Sequence, residues 1–173
     1  MGDTTSDLDP RVRELLDKQA IREAIFRYCR GVDRGDSELV ASAYHPDAID
    51  DRGHVSYTGE TIGEGMVGSM LQQMAMTSHH ITGQTIVVHG DTASAESYTL
   101  GIHSPNTPDG PKRMISSGRS FDKLEKRDGE WRIVERRQVT DMVRMFSLDD
   151  EVTLGPSVAR RDRTDPSYAL LEG

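Results

Sequence analysis

The hydrophobic period changes once along this chain, and that change constrains the fold more than any other feature. Before His80, apolar residues recur every three or four positions; after it they alternate. Asp9 and Pro10 start a long helix, an N-cap acceptor followed by the residue whose missing N–H costs nothing at N1. Val12, Leu15, Leu16, Ile21, Ile25, Cys29 and Val32 lay one apolar stripe along that helix, which is expected to end between Gly31 and Gly35. Ser37 then caps a short second helix with Leu39, Val40, Ala43 and Tyr44 facing inward, and Pro46 stops it. Residues 47–58 read as a hairpin turning at Asp51-Arg52-Gly53. A third helix, from Thr61 to about Met76, places Ile62, Met66, Met70 and Met74 on one stripe.

Strands are expected near 80–89, 92–103, 113–126 and 131–145, with tight turns at Gly90-Asp91 and Asp128-Gly129 and a wider proline-rich loop between Pro105 and Pro111. Parallel strands would need crossover helices between them, so three helices followed by a meander give segregated α+β. One strand face carries Ala93, Ala95, Ser97, Thr99 and Gly101, and the next carries Ser116, Gly118 and Ser120. Side chains that small leave space, which points to a concave face around a pocket. Residues 1–10 read as a flexible N-terminus, 11–146 as the domain, and 147–173 as a charged, proline-punctuated tail.

A chain of 173 residues fits one core. Its formal net charge of -8, with no stripe of Lys and Arg, argues against a nucleic-acid partner. A single cysteine, Cys29, permits no internal disulfide and no structural zinc site, so the cytoplasm is the expected location. No apolar run approaches the roughly 20 residues of a membrane span, and the N-terminus lacks the order of a secretion signal. Metal-ligand spacing, a phosphate-binding glycine loop and a nucleophile elbow are all missing, so an enzyme here is expected to need no cofactor and no metal.

Five positions stand out as carriers of chemistry. Asp33 falls at the C-terminal end of the first helix, where the helix dipole disfavours a carboxylate by about 0.3–1 kcal/mol. It is either a solvated acid beside Arg30 and Arg34 or a buried acid with some compensating partner. His80 shares a strand face with Thr82, Gln84 and Ile86 if the period of two holds, and reads as a structural histidine or one at the mouth of the sheet. Tyr28 precedes Asp33 by five residues, off its helical stripe unless the helix end unwinds. Arg136 and Arg137 are adjacent in a strand and must face opposite sides, so one of them points inward and needs an anion or a dipole.

With these residues in place the sequence resembles the SnoaL-like branch of the nuclear transport factor 2-like superfamily. The likeness runs over about residues 11–146. It is carried by Ile21-Arg22-Glu23-Ala24-Ile25 leading to Tyr28-Cys29-Arg30-Gly31-Val32-Asp33, then His45-Pro46-Asp47-Ala48, then His79-His80 with Gln84 four residues on. Gly90-Asp91-Thr92-Ala93 and Asp128-Gly129-Glu130-Trp131-Arg132 complete it. The resemblance implies a cone-shaped α+β barrel, three N-terminal helices packed on a curved, mostly antiparallel sheet that encloses a pocket.

Within that superfamily the sequence is similar to cofactor-free lyases: scytalone dehydratase, the bile-acid 7α-dehydratases and hexachlorocyclohexane dehydrochlorinase. The likeness implies an Asp–His pair made of Asp33 and His80, with Tyr28 and Arg136 as further catalytic groups. His103, Met66, Met70 and Gln84 are the expected substrate contacts. The implied activity is elimination of water, a halide or a small carbonyl fragment from an aromatic or polycyclic molecule, by a homo-oligomer, dimer or trimer. Two other readings use the same cone: an isomerase or cyclase, and a non-catalytic subunit or small-molecule-binding module.

Overall fold

The computed structural model describes residues 9–147, apart from 109 and 111, and residues 159–171. The start of the expected flexible N-terminus and much of the tail therefore lie outside the described residues. The first helix, α1 (Pro10–Arg34), begins where expected: the Asp9 side chain accepts from the Arg11 N–H at 2.8 Å. It stops at Gly35, whose φ of +67° is the left-handed conformation that suits glycine. Its apolar stripe is only partly buried. Ile21, Ala24, Ile25, Tyr28, Cys29 and Val32 pack inward, whereas Val12, Leu15 and Leu16 are exposed on turns that run past the sheet.

The second helix, α2 (Ser37–Ala41), is capped by Asp36 and not by Ser37; Asp36 is extended and accepts from the Leu39 N–H at 2.9 Å. Tyr44 leaves the helix and opens strand β1 (Tyr44–Asp51), which pairs antiparallel with β2 (Ser56–Thr58). The turn between them has Gly53 at φ +80°. Helix α3 (Ile62–Gln73) ends three residues earlier than its stripe implies, because Met74 already pairs with Pro105 in the sheet. Sheet hydrogen bonding overrides local helical preference there.

The remaining strands are long: β3 (Met74–His89), β4 (Thr92–Pro105), β5 (Lys112–Arg127) and β6 (Glu130–Ser147). The β5–β6 turn uses positive φ at both Asp128 and Gly129, the pattern of a two-residue hairpin matched to strand twist. The six strands lie in the order β2-β1-β6-β5-β4-β3, all pairs antiparallel except β1 with β6. The architecture is α+β, a curved sheet that does not close on itself, with α1 and α3 against its concave face. Ile21, Ile25, Ile62, Leu124 and Ile133 are at most 1 % exposed and form the core between helix and sheet, each contributing about 1.5–3 kcal/mol. A short helix, α4 (Pro166–Leu171), ends the described chain. No helix among the described residues is long and apolar enough to cross a membrane.

Candidate active site

The last turn of α1 brings Asp33 against the sheet, and the partner it meets is His79. Asp33 Oδ1 lies 2.7 Å from His79 Nδ1, and Asp33 Oδ2 accepts the His79 backbone N–H at 2.8 Å. Two bonds to one residue orient the carboxylate, and the geometry suits the tautomer with Nδ1–H directed at Asp33. The pair is 11 % and 16 % exposed, acid and imidazole respectively. The sheet thus supplies part of the compensation that an acid at a helix C-terminus requires.

His80, the expected partner, is exposed on the other face, with Nε2 3.1 Å from Ser78 Oγ. The physical reason is a β-bulge. Ile81 pairs with Thr99 and Gly83 with Tyr98, so Thr82 is an extra residue. Inward positions are 84, 86 and 88 beyond the bulge but 77, 79 and 81 before it. Counting by twos from Ile86 back to His80 therefore lands on the wrong face. A signal was present in the sequence, since a lone glycine inside a strand pattern, here Gly83, marks such an irregularity.

A cavity of about 220 Å³ opens beside His79. Met70, Met74 and Met114 line it, together with the hydroxyl and amide groups of Thr99, Ser116, Ser120, Thr140 and Gln138. His103 is also in the wall, its ring centroid 5.4 Å from that of His79 and nearly edge-on to it. Its Nδ1 lies 2.7 Å from Thr77 Oγ1 and its Nε2 3.4 Å from Ser116 Oγ. Burial, and then the neighbouring His79, push its pKa down to about 4, so His103 is a neutral hydrogen-bonding group near neutral pH. The small-residue faces divide in two: Ala93, Ala95 and Ser97 pack in the core, while Thr99, Gly101, Ser116, Gly118 and Ser120 make the cavity.

Tyr28 and Arg136 are not in the cavity wall. They belong to a buried network beneath it. Arg136, 1 % exposed, binds Asp122 through Nε at 2.6 Å and Nη2 at 2.9 Å, and its Nη1 reaches Tyr44 Oη at 3.3 Å. Burial pulls the guanidinium pKa down, but Asp122, Tyr44 and Tyr28 together more than offset it and hold the pKa well above the ordinary range. Arg137 is the outward member of the pair. The Tyr28 ring lies under Arg136 at 4.3 Å, and its hydroxyl accepts from Arg52 Nη2 at 2.7 Å. Arg52 also donates to Asp50 at 3.1 Å and to Gln138 at 2.9 Å, so the network meets the cavity at Gln138. Of the expected substrate contacts, Met70 and His103 line the cavity; Met66 is a core residue, and Gln84 is held by Ser97 at 3.0 Å, because both point into the packed end of the cone.

Burial pushes the Cys29 thiol up to about 12, which removes it as a nucleophile. Among the described residues no group of three or more His, Cys, Asp or Glu side chains is arranged to hold a metal ion. The chemistry on hand is that of an oriented imidazole facing a compact cavity of hydroxyl groups and thioethers.

Comparison with solved structures agrees with this architecture. A hexachlorocyclohexane dehydrochlorinase of type 2 superposes with a TM-score of 0.73 at 18% identity, covering 84% of this chain and 97% of the other. A protein assigned as a scytalone dehydratase from Novosphingobium aromaticivorans gives a TM-score of 0.68 at 23% identity, with 84% and 97% covered. A protein of unknown function with a cystatin-like fold from Nostoc punctiforme gives 0.62 at 23% identity, with 73% and 92% covered. At these identities the likeness establishes the fold, and its neighbours include proteins with and without a known reaction. No curated protein sequence matches the chain. The model of the SnoaL-like domain matches residues 13–137, a span that holds α1 from Arg13 onward, the sheet through Arg137 and the Asp33–His79 pair, and the chain therefore belongs to the SnoaL-like domain family.

Proposed function

We propose that the protein is a cofactor-independent lyase in which His79, oriented by Asp33, removes a proton from a compact ring compound and a small group leaves. The observation that carries this reading is the 2.7 Å contact between Asp33 Oδ1 and His79 Nδ1 beside the 220 Å³ cavity. With Nδ1–H held by the carboxylate, the Nε2 lone pair takes a substrate C–H proton. The C–H electron pair becomes the new double bond, and the leaving group departs with the electron pair of its own bond. Asp33 stabilises the imidazolium that forms, which then returns its proton to the leaving group or to water.

Such a base accounts for roughly 10²–10⁴ of the acceleration. The remainder is assigned to orientation and to the hydroxyl groups of the cavity, with neutral His103 fixing that of Ser116. The cavity falls below the roughly 300–1,000 Å³ of sites for drug-sized ligands. Within this cavity that size favours one or two rings over a fused polycyclic, and its hydroxyl groups favour a ring bearing oxygen; a second space of about 430 Å³ also borders Asp33 and His79. Water or a halide is the group that leaves.

A panel of cyclic alcohols, aryl alkyl ethers and alkyl halides, followed by mass spectrometry of the products, tests the reaction class. A product lighter by the mass of the eliminated water or hydrogen halide, formed by the unsubstituted protein and not by Asp33→Asn, is the expected result. A product of unchanged mass would replace elimination with isomerisation.

A further inference from the structure

The ends of α1 and α3 meet beside the pair, and one side chain from the C-terminal segment spans them. Arg161 donates through Nη1 to the Met70 and Met74 carbonyls, at 3.4 and 2.5 Å, and through Nη2 to the Val32 carbonyl at 3.2 Å. Val32 immediately precedes Asp33. The carbonyls of a helix end carry partial negative charge, so a carboxylate at that spot needs positive charge nearby. Burial lowers the affinity of Arg161 for its proton and the Asp33 charge acts in the opposite sense, while the field of Arg161 also reaches His103. Its Nε is buried and has no hydrogen-bond partner among the described residues.

The segment that carries Arg161 is seated by contacts of its own. A Cβ on Gly35 would lie 2.7 Å from the Arg161 carbonyl oxygen, so Gly35 serves both its positive φ and this close approach. Tyr168 is held between the guanidinium groups of Arg30, at 4.5 Å, and Arg163, at 4.7 Å, and its hydroxyl donates to Asp36 at 2.6 Å. The other charged and titratable groups near the pair are Cys29, Arg30 and Arg34 on α1 and His103 on β4. Arg30 is engaged by Ser167 and Tyr168, and Arg34 by Asp165 and the Arg160 carbonyl.

We propose that Arg161 is a positioning residue for the Asp33–His79 pair, its charge at the joined helix ends holding the Asp33 carboxylate in place and aimed at His79. The C-terminal segment is then part of the site and not an appendage. The inference rests on reading Asp33 and His79 as the acid–base pair.

The test compares Arg161→Gln, which keeps amide donors for the carbonyls and loses the charge, with Arg161→Lys, which keeps the charge. Both are made in the full chain. The readouts are the downfield imidazole N–H resonance of the Asp33 contact, assigned by its absence in His79→Gln, and hydrogen exchange of the His79 amide. Arg161→Gln is expected to lose the resonance and to exchange that amide roughly tenfold faster, while Arg161→Lys keeps both. Retention of both signatures in Arg161→Gln overturns the proposal. So does equal loss in the two variants with a lowered unfolding midpoint, which would make Arg161 a backbone clamp only. If Arg161→Gln does not fold, the folded Arg161→Lys protein decides by whether the resonance survives. Neither readout needs turnover, so an active His79→Ala protein would overturn the acid–base reading and leave this contact standing.

Discussion

Asp33 and Asp122 are both buried carboxylates at the inner face of the sheet, and each is bound to one basic side chain, yet the two pairs differ in what they leave unused. Arg136 commits Nε and Nη2 to Asp122 and Nη1 to Tyr44, and both members are at most 1 % exposed. A guanidinium held this way gives up no proton and meets no ligand. His79 commits one nitrogen to Asp33 and borders a cavity with the rest of its ring. A buried acid–base pair is structural when its valence is closed and available for chemistry when one nitrogen still faces open space. The difference lies in the partner and the access, since the carboxylates are alike.

Substitution of each acid by its amide should separate the two roles. Asp33→Asn is expected to lower turnover by roughly 10²–10⁴, with the unfolding free energy moved by less than about 1 kcal/mol; initial rates and chemical denaturation measure both. Asp122→Asn leaves the Arg136 charge buried without a counter-ion and is expected to cost about 3–5 kcal/mol, read as a lower denaturation midpoint. Comparable stability loss in the two variants would erase the distinction.

A smaller effect should appear with pH. The pKa of His103 falls from 6.5 to about 4 on folding, so the unfolded chain binds the proton first as the pH drops. Its contribution is present in full above 6.5 and is lost as the pH falls toward 4, by up to about 1.4 kcal/mol per pH unit. Replacing His103 with Gln should flatten the stability profile in that window. The smallest effect is expected at His80, which is exposed, with Nε2 3.1 Å from Ser78 Oγ: His80→Ala should move unfolding by less than about 0.5 kcal/mol.

The helix-then-meander order, the caps of α1 and the turns were legible in the sequence because each rests on local chemistry. Asp33 was legible for a similar reason, since a carboxylate at a helix end is anomalous wherever it occurs. His103 follows the unbroken alternation of β4, from Ala93 through Ser97 and Gly101, and counting by twos places it in the cavity. His79 does not, because the extra residue at Thr82 reverses the parity of β3. The Asp122 partner of Arg136 was hidden because only the β5–β6 register sets the two side by side. Arg161 was hidden for want of any local pattern in the tail, its contacts reaching back 129 residues to Val32.

The central claim is that Asp33 works through His79. Initial rates of His79→Ala and His80→Ala, measured side by side on one substrate from the elimination panel, test it most directly. A loss of about a hundredfold or more in His79→Ala, with His80→Ala equal to the unsubstituted protein, is the predicted result. A collapse of activity in His80→Ala while His79→Ala still turns over would contradict it.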